Sequence, residues 1–277
     1  MIPPFLRFLK ESFYAMILQL KDYFARLSGN LRFIFGLENS LGFKLAYLAE
    51  RFLWKVEHFL GISDPAPIFL RKDYVLKTKN FAWQIKPGSD FDRVVGPTFE
   101  KELEPYFSCK GVFIDVGAHV GRWTFFVART ASVVLAFEAH PETYRYLASN
   151  KVMNHVENAE VFNVALSDAE KRVRFDAREL SHASISGISE RGNIEIEAKP
   201  LDSFTEEIPE IELLKIDAES HELHVLQGAR KTLRKTRRII CEINGESDRR
   251  KVIDFLRSFG FTRVEKLPDE ADFYFTK

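Results

Sequence analysis

The first chemically suggestive stretch runs from Phe113 to Gly121, where an apolar strand enters a turn that contains two glycines. Glycine lets the main chain approach a ligand closely, so this turn is suited to ligand binding. Its spacing, D-x-G-x-x-x-G, differs from the G-x-G-x-x-G of dinucleotide sites. An acidic residue beside the turn favours a cationic ligand, such as an ammonium or a sulfonium, over a phosphate. The predicted contacts are Asp115, Gly117, Ala118, His119 and Gly121.

The next predicted strand ends in Glu138, about twenty residues beyond the glycine turn. A carboxylate at this point of a nucleotide-binding sheet can accept hydrogen bonds from both ribose hydroxyls. The adenine of such a nucleoside is then expected beside the end of the third strand, at Ala165 and Leu166. A cationic group near Asp115 and Gly117, together with a nucleoside at Glu138, predicts S-adenosylmethionine as the cofactor.

Strands and helices alternate after residue 111, and this alternation predicts how the candidate residues are positioned. Strands are predicted at 111–117, 132–138, 160–166, 211–217 and 238–243, and helices at 98–106, 122–130, 141–154, 221–235 and 248–259. A closing hairpin is predicted from 261–266 and 272–275. The fold class is therefore α/β, with a doubly wound, Rossmann-like, mostly parallel seven-stranded sheet. A C-terminal antiparallel hairpin ends it, and an N-terminal helical region precedes it.

Several blocks of the sequence fit a known pattern: Phe113–Gly121, Ala136–Pro141, Asn163–Asp168, Leu213–Leu223 and Gly228-Ala229. In this order they resemble the FkbM-type family of class I S-adenosylmethionine-dependent methyltransferases. The resemblance extends from about residue 98 to the C-terminus. Ser220 departs from it, because the family usually has glycine before this helix; serine is a good helix cap, so we expect little effect. The resemblance implies methylation of polyketides, glycans or other secondary metabolites.

Acidic and basic side chains crowd the end of the fourth predicted strand, which lies next to the first strand across the switch point of the sheet. The candidate catalytic residues are Asp217, Glu219 and His221. Methyl transfer to a hydroxyl requires a base, and an imidazole with a pKa of about 6–7 suits this task. We expect His221 to be that base, with Asp217 or Glu219 orienting it or serving instead, and Asp217 also near the cofactor. The alternative is a divalent metal on Asp217 and Glu219, but no third ligand is visible and no metal is expected.

The charge balance is neutral, with 40 basic and 40 acidic side chains, which argues against a nucleic-acid partner bound through bulk charge. The favoured acceptor is a hydroxyl of a small molecule or a carbohydrate. A small polar loop at 181–192, which contains His182, Ser184 and Ser186, is predicted to bind it. The alternatives are a nucleic-acid or N-methyltransferase, although no N/D-P-P-Y/F motif follows the fourth strand, and a non-catalytic S-adenosylmethionine-binding scaffold.

Three regions are predicted: an N-terminal helical region at 1–62, a linker with short strands at 63–97, and the Rossmann-like methyltransferase domain at 98–277. Helices are expected at 5–27 and 40–61, where apolar residues recur at helical spacing. Charges interrupt this region too often for a membrane span or a signal peptide. With only two, widely separated cysteines, Cys109 and Cys241, a cytoplasmic protein is expected. The N-terminal helices are expected to pack as a cap, and peripheral membrane binding or self-association stays open.

Overall fold

The computed structural model describes residues 34–59, 67–96, 99–177, 186–268 and 271–277. The chain divides into two compact units, one of Met1–Leu70 with Leu76–Phe81 and the other of Arg71–Val75 with Ala82–Lys277. The helix predicted over residues 5–27 lies outside the described residues.

Within the first unit, the second predicted helix is present as α1 (Leu41–Phe59). Ser40 caps it, because its hydroxyl accepts a hydrogen bond from the backbone amide of Phe43 at 3.3 Å. Among the described residues, no helix combines the length and the apolar character that crossing a membrane requires.

The described part of the chain contains thirteen strands. In order, they are β1 (Tyr74–Lys77), β2 (Ala82–Ile85), β3 (Val112–Val116), β4 (Val133–Phe137), β5 (Ala159–Phe162), β6 (Ala165–Leu166), β7 (Lys171–Asp176), β8 (Gly187–Ile188), β9 (Ile194–Lys199), β10 (Ile211–Ile216), β11 (Thr236–Glu242), β12 (Arg263–Lys266) and β13 (Asp272–Thr276).

Seven of these strands form the main sheet, in the order β12-β13-β11-β10-β3-β4-β5. Five of them run parallel to one another: β11, β10, β3, β4 and β5. Strand β13 of the β12–β13 hairpin pairs with β11 in antiparallel orientation. This arrangement confirms the predicted fold class. It also places the carboxyl ends of β3, β4 and β10 side by side, which is where open α/β sheets bind their ligands.

The helices after α1 are α2 (Phe91–Val94), α3 (Arg122–Ala128), α4 (Pro141–Met153), α5 (Glu222–Gln227), α6 (Arg230–Arg234) and α7 (Glu246–Arg257). The single helix predicted at 221–235 is wrong, because the chain breaks into α5 and α6. Gly228 lies at this break, and a Cβ there would overlap the carbonyl oxygen of Ser167. The helix predicted at 98–106 is a 3₁₀ segment, Lys101–Phe107, whose internal Pro105 lacks the N–H that an α-helix needs.

A second, four-stranded sheet has the order β6-β9-β7-β8. The third strand predicted at 160–166 is therefore two strands, since β5 belongs to the main sheet whereas β6 pairs with β9. Strand β7 was not predicted, because its charged residues leave only Val173 and Phe175 as an apolar alternation. Strand β8 pairs with β7 and brings Gly187 and Ile188 to the carboxyl edge of the main sheet.

Both faces of the main sheet are buried by apolar side chains, whereas polar side chains lie at its carboxyl edge. Alternate residues of the central strands belong to opposite hydrophobic clusters: on β3, Phe113 packs on one face and Ile114 on the other. Such near-continuous apolar strands are typical of parallel sheets covered by helices. The core thus fixes the strand ends rigidly, and these ends position the site.

Candidate active site

A cleft opens at the carboxyl ends of β3, β4 and β10, where open α/β sheets bind their ligands. Nine of the predicted site residues line it together: Gly117, Ala118, His119, Glu138, Ala165, Leu166, Asp217, Glu219 and His221. The other two predicted residues, Asp115 and Gly121, lie behind the lining.

The turn after β3 has the shape that its glycines were expected to give. Gly117 has a φ of 75°, and a Cβ at this position would overlap the carbonyl oxygen of Asp217. Gly121 has a φ of 101°, and a Cβ there would meet the ring of Phe125 and the side chain of Leu147. Both positions therefore require glycine on steric grounds as well as for their left-handed backbone.

Glu138 lies at the end of β4 and is almost completely buried. One carboxylate oxygen accepts a hydrogen bond from the backbone amide of His119 and the other from that of His140, both at 2.8 Å. Burial raises the pKa of this carboxyl above its ordinary value, while nearby His119 and the two amides oppose the rise. The amides fix the carboxylate, and each oxygen keeps a further lone pair for a hydroxyl donor.

Asp115 lies beneath the cleft with no exposed surface. Its carboxylate accepts a hydrogen bond from the hydroxyl of Thr124 at 2.6 Å and lies 3.7 Å from the ammonium of Lys215. Burial, only partly offset by Lys215, raises the pKa of Asp115. The structure thus connects Asp115 to the cleft through Lys215. The ammonium contact predicted for Asp115 stays a prediction.

Lys215 is the functional residue of this region that the sequence analysis missed. Its ammonium donates hydrogen bonds to the carbonyl oxygen of Gly117 at 3.0 Å and to the carboxylate of Asp217 at 3.1 Å. Burial alone would lower the pKa of Lys215, but Asp217, Asp115 and Glu100 outweigh it and raise the pKa. A lysine inside the apolar run of β10 was the available signal, because lysine is almost never buried without a partner.

The turn after β10 is held by Glu222, whose carboxylate accepts hydrogen bonds from the amides of Ala218 at 3.2 Å and Ser220 at 2.9 Å. Glu219 and Ser220 have φ values of 48° and 71°. The expectation that Ser220 caps the next helix is therefore wrong, because α5 begins at Glu222, His221 occupies the cap position and no side chain caps the helix. Its left-handed backbone gives a physical reason for glycine at this position in the family.

Two carboxyl groups near Asp217 bind protons more tightly than usual. Burial, then the charges of Asp217 and Glu222, raise the pKa of Glu219 to about 8. The charge of Asp217, then burial, raise the pKa of Glu242 to about 9. Glu242 is thus protonated at neutral pH and hydrogen bonds to Asp217, while the amide of Asn244 donates to Glu242 at 3.0 Å.

His221 lines the cleft, and its Nε2 lies 3.0 Å from the hydroxyl of Ser167. That hydroxyl donates its one proton to Asp168 at 2.8 Å, so His221 donates from Nε2. Burial first, and then neighbouring His224, whose ring stacks on His221 at 4.3 Å, lower the pKa of His221 to about 4. The expected pKa of about 6–7 is therefore wrong, since a buried imidazole resists charging.

One wall of the cleft comes from the segment before β3 and from the start of α3. Glu100 accepts a hydrogen bond from the indole N–H of Trp123 at 2.6 Å, and burial raises the pKa of Glu100. Trp123 in turn stacks on Phe107 with ring centroids 3.6 Å apart. Arg122, beside Trp123, also lines this wall.

The opposite wall comes from the second sheet. Phe175 of β7 and the residues Ser186, Gly187 and Ile188 line the cleft there. A Cβ on Gly187 would lie 3.3 Å from the carbonyl oxygen of Glu219, so this wall approaches the turn after β10 closely. Ser186 thus lies at the cleft as expected, whereas His182 and Ser184 of the same predicted loop lie outside the described residues. Across the described ranges, no group of three or more His, Cys, Asp or Glu is placed to hold a metal ion.

The fold and the cleft together define a Rossmann-like methyltransferase. The family model for the methyltransferase FkbM domain matches residues 115–263, which is more than half of the chain. The chain belongs to this family, and the predicted resemblance is confirmed. S-adenosylmethionine is the cofactor.

Two curated relatives and one solved structure show how far the similarity extends. Hexuronic acid methyltransferase AglP of Haloferax volcanii is 27% identical over 166 residues, which cover 58% of this chain and 68% of that protein. Methyltransferase 1 of Beauveria bassiana is 23% identical over 141 residues, 42% of this chain and 57% of that protein. The crystal structure of a methyltransferase FkbM from Methylobacillus flagellatus KT has a TM-score of 0.46 and 16% identity. That match covers 60% of this chain and less than half, 44%, of the other chain.

The residues of the cleft fit this cofactor chemically. Glu138 offers lone pairs to a ribose, and the apolar side chains of Val164, Ala165 and Leu166 offer a surface for an adenine. Four carboxyl groups line the cleft and offer oxygen acceptors to such a ligand: Glu100, Glu138, Asp217 and Glu219.

Proposed function

We propose that the protein transfers a methyl group from S-adenosylmethionine to a hydroxyl group of a carbohydrate or another small polyol. The observation that carries this proposal is the position of Glu219. Its carboxyl group lines the cleft beside Asp217 and has a pKa of about 8. A base of this strength suits an acceptor atom that loses a proton during the transfer, as a hydroxyl does.

The cofactor supplies a methyl group attached to a positively charged sulfur. That sulfur leaves readily as a neutral thioether. The protein must therefore hold the acceptor oxygen in line with the methyl carbon and remove its proton. Glu219 accepts that proton as the oxygen–carbon bond forms and the carbon–sulfur bond breaks. Asp217, fixed by Lys215 on one side and Glu242 on the other, orients the acceptor hydroxyl.

Glu219 takes the role for which His221 was the first choice from the sequence. The Nε2 atom of His221 is engaged with Ser167, and its pKa of about 4 makes it the weaker base. We assign His221 to the wall of the cleft, where it ties α5 to the chain that follows β6.

The carbohydrate acceptor is supported by the activity of the relative AglP, which is a hexuronic acid methyltransferase. The cleft also offers several carboxyl oxygens that can accept hydrogen bonds from the hydroxyls of a sugar.

The test uses S-adenosylmethionine labelled with ¹³C in the methyl group and a panel of monosaccharides, uronic acids and nucleotide sugars. We expect a ¹³C methyl ether in the NMR spectrum of at least one carbohydrate. Labelling only of amines, or of a nucleic acid added as a control, would contradict the proposal.

A further inference from the structure

The wall formed by Arg122 and Glu100 contains a cation and an anion that the transfer mechanism does not use. Both side chains line the cleft. They are close enough that each influences the ionisation of the other. A ligand with one negative and one positive group attached to the same carbon atom would match this pair, and the amino-acid end of the cofactor is such a ligand.

The turn after β3 cannot receive a carboxylate in the way that nucleotide-binding turns receive a phosphate. Four of the five backbone amides from Gly117 to Gly121 already donate within the protein. Gly117 and Ala118 both donate to the carbonyl oxygen of Phe137 at 3.0 Å, and His119 donates to Glu138. These four amides are therefore not available to an anionic group in this cleft, which favours a side-chain donor.

Among the described residues, two cationic side chains of lysine or arginine line the cleft, Lys215 and Arg122. The ammonium of Lys215 is committed to Gly117, Asp217 and Asp115. The guanidinium of Arg122 donates from Nη1 to the carbonyl oxygen of Gly96 at 3.0 Å. Its Nη2 lies 3.8 Å from the carboxylate of Glu104, and its buried Nε–H has no hydrogen-bond partner among the described residues.

Glu100 has the complementary property. One of its oxygens accepts the indole N–H of Trp123, which fixes the carboxylate at the cleft wall. Glu100 has a φ of 47°, so its backbone is held in the left-handed region. A strained backbone at a lining residue is typical of functional positions.

We infer that Arg122 and Glu100 bind the amino-acid end of the cofactor. Arg122 binds the carboxylate of the cofactor, and Glu100 binds the ammonium of the cofactor. This inference rests on S-adenosylmethionine as the cofactor and is independent of the acceptor. It places the adenosine at Glu138 and β6 and the amino-acid group at the start of α3, so the methyl group faces the turn after β10.

The experiment compares two ligands by calorimetric titration. S-adenosylhomocysteine carries the amino-acid end, and 5′-methylthioadenosine lacks it while keeping the adenosine and the sulfur. We expect R122Q to weaken binding of S-adenosylhomocysteine by about 10- to 100-fold and to leave 5′-methylthioadenosine within about twofold, because only charge-assisted bonds to the carboxylate are lost. Glu100→Gln, which can still accept the indole N–H, should show the same selectivity.

Glu104→Gln is the matched control. Glu104 lies 3.8 Å from Arg122 but outside the cleft lining, so this variant should bind both ligands as the wild type does. Parallel weakening of both ligands in R122Q and E100Q would overturn the inference and assign these residues to the shape of the cleft. Unchanged binding of S-adenosylhomocysteine would overturn it too. A wild-type protein that binds neither ligand would refute the cofactor itself, which is a distinguishable failure.

Discussion

The ammonium of Lys215 donates a hydrogen bond to the carboxylate of Asp217, two residues further along the chain, at 3.1 Å. This contact, with Asp115 at 3.7 Å on the other side, sets one buried cation between two carboxylates. It links the ends of β3 and β10 below the cleft. The acidic turn after β10 is thereby stabilised at the point where we propose that the acceptor binds.

Replacing Lys215 by Met should lower the free energy of unfolding by about 3–5 kcal/mol, because the buried carboxylate of Asp115 and the partly exposed carboxylate of Asp217 lose their counter-ion. Urea denaturation at neutral pH measures this. Lys171→Met is the control, since its ion pair with Asp168 is half exposed and should contribute at most about 1 kcal/mol. Equal losses in the two variants would show that Lys215 does not balance these charges.

Ser220→Gly should stabilise the protein by about 1 kcal/mol relative to Ser220→Ala. The φ of 71° strains any residue with a Cβ, whereas glycine adopts it freely. Thermal melting of the two variants side by side is the measurement. If Ser220→Ala is as stable as Ser220→Gly, the left-handed backbone does not strain this position.

The methyl-transfer rate should rise with pH through about 8, because Glu219 must be ionised to accept a proton and its pKa is about 8. Glu219→Gln should lower kcat by roughly 10²–10⁴-fold and abolish that pH dependence. His221→Gln is the comparison and should keep most of the rate. The reverse pattern, a loss in His221→Gln alone, would return the role of base to His221.

His221 should also make stability depend on pH. Its pKa is about 4 in the folded protein and about 6.5 in the unfolded chain, so the unfolded chain binds the proton first. The contribution of neutral His221 to stability is present above pH 6.5 and is lost as the pH falls towards 4. Midpoints of urea unfolding between these values should fall less steeply for His221→Gln than for the wild type; identical slopes would argue against a depressed pKa.

The main features of the cleft were predictable because they depend on local patterns. One buried strand is followed by Gly117 and another by Glu138. Both patterns indicate where the carboxyl edge of the sheet lies. The alternation of strands and helices then fixes which strand ends are adjacent. These signals require no knowledge of distant contacts.

The missed features depend on contacts between residues far apart in the sequence. Glu100 and Arg122 meet at the cleft only after folding, and no motif connects them. The break between α5 and α6 reflects the close approach of Gly228 to Ser167, some sixty residues earlier on the chain. The pKa of His221 depends on burial and on His224, neither of which composition or spacing reports.

The most direct test of the account is the affinity of S-adenosylhomocysteine for wild type and Glu138→Gln, measured by calorimetry. The carboxylate of Glu138 is fixed by two amides at 2.8 Å and is assigned to the ribose hydroxyls. Glu142→Gln, a change of a partly exposed glutamate on the following helix, is the control and should bind as the wild type does. The account predicts that Glu138→Gln weakens binding by about 1–3 kcal/mol, since charge-assisted hydrogen bonds are lost. Equal affinities of wild type and Glu138→Gln would contradict it.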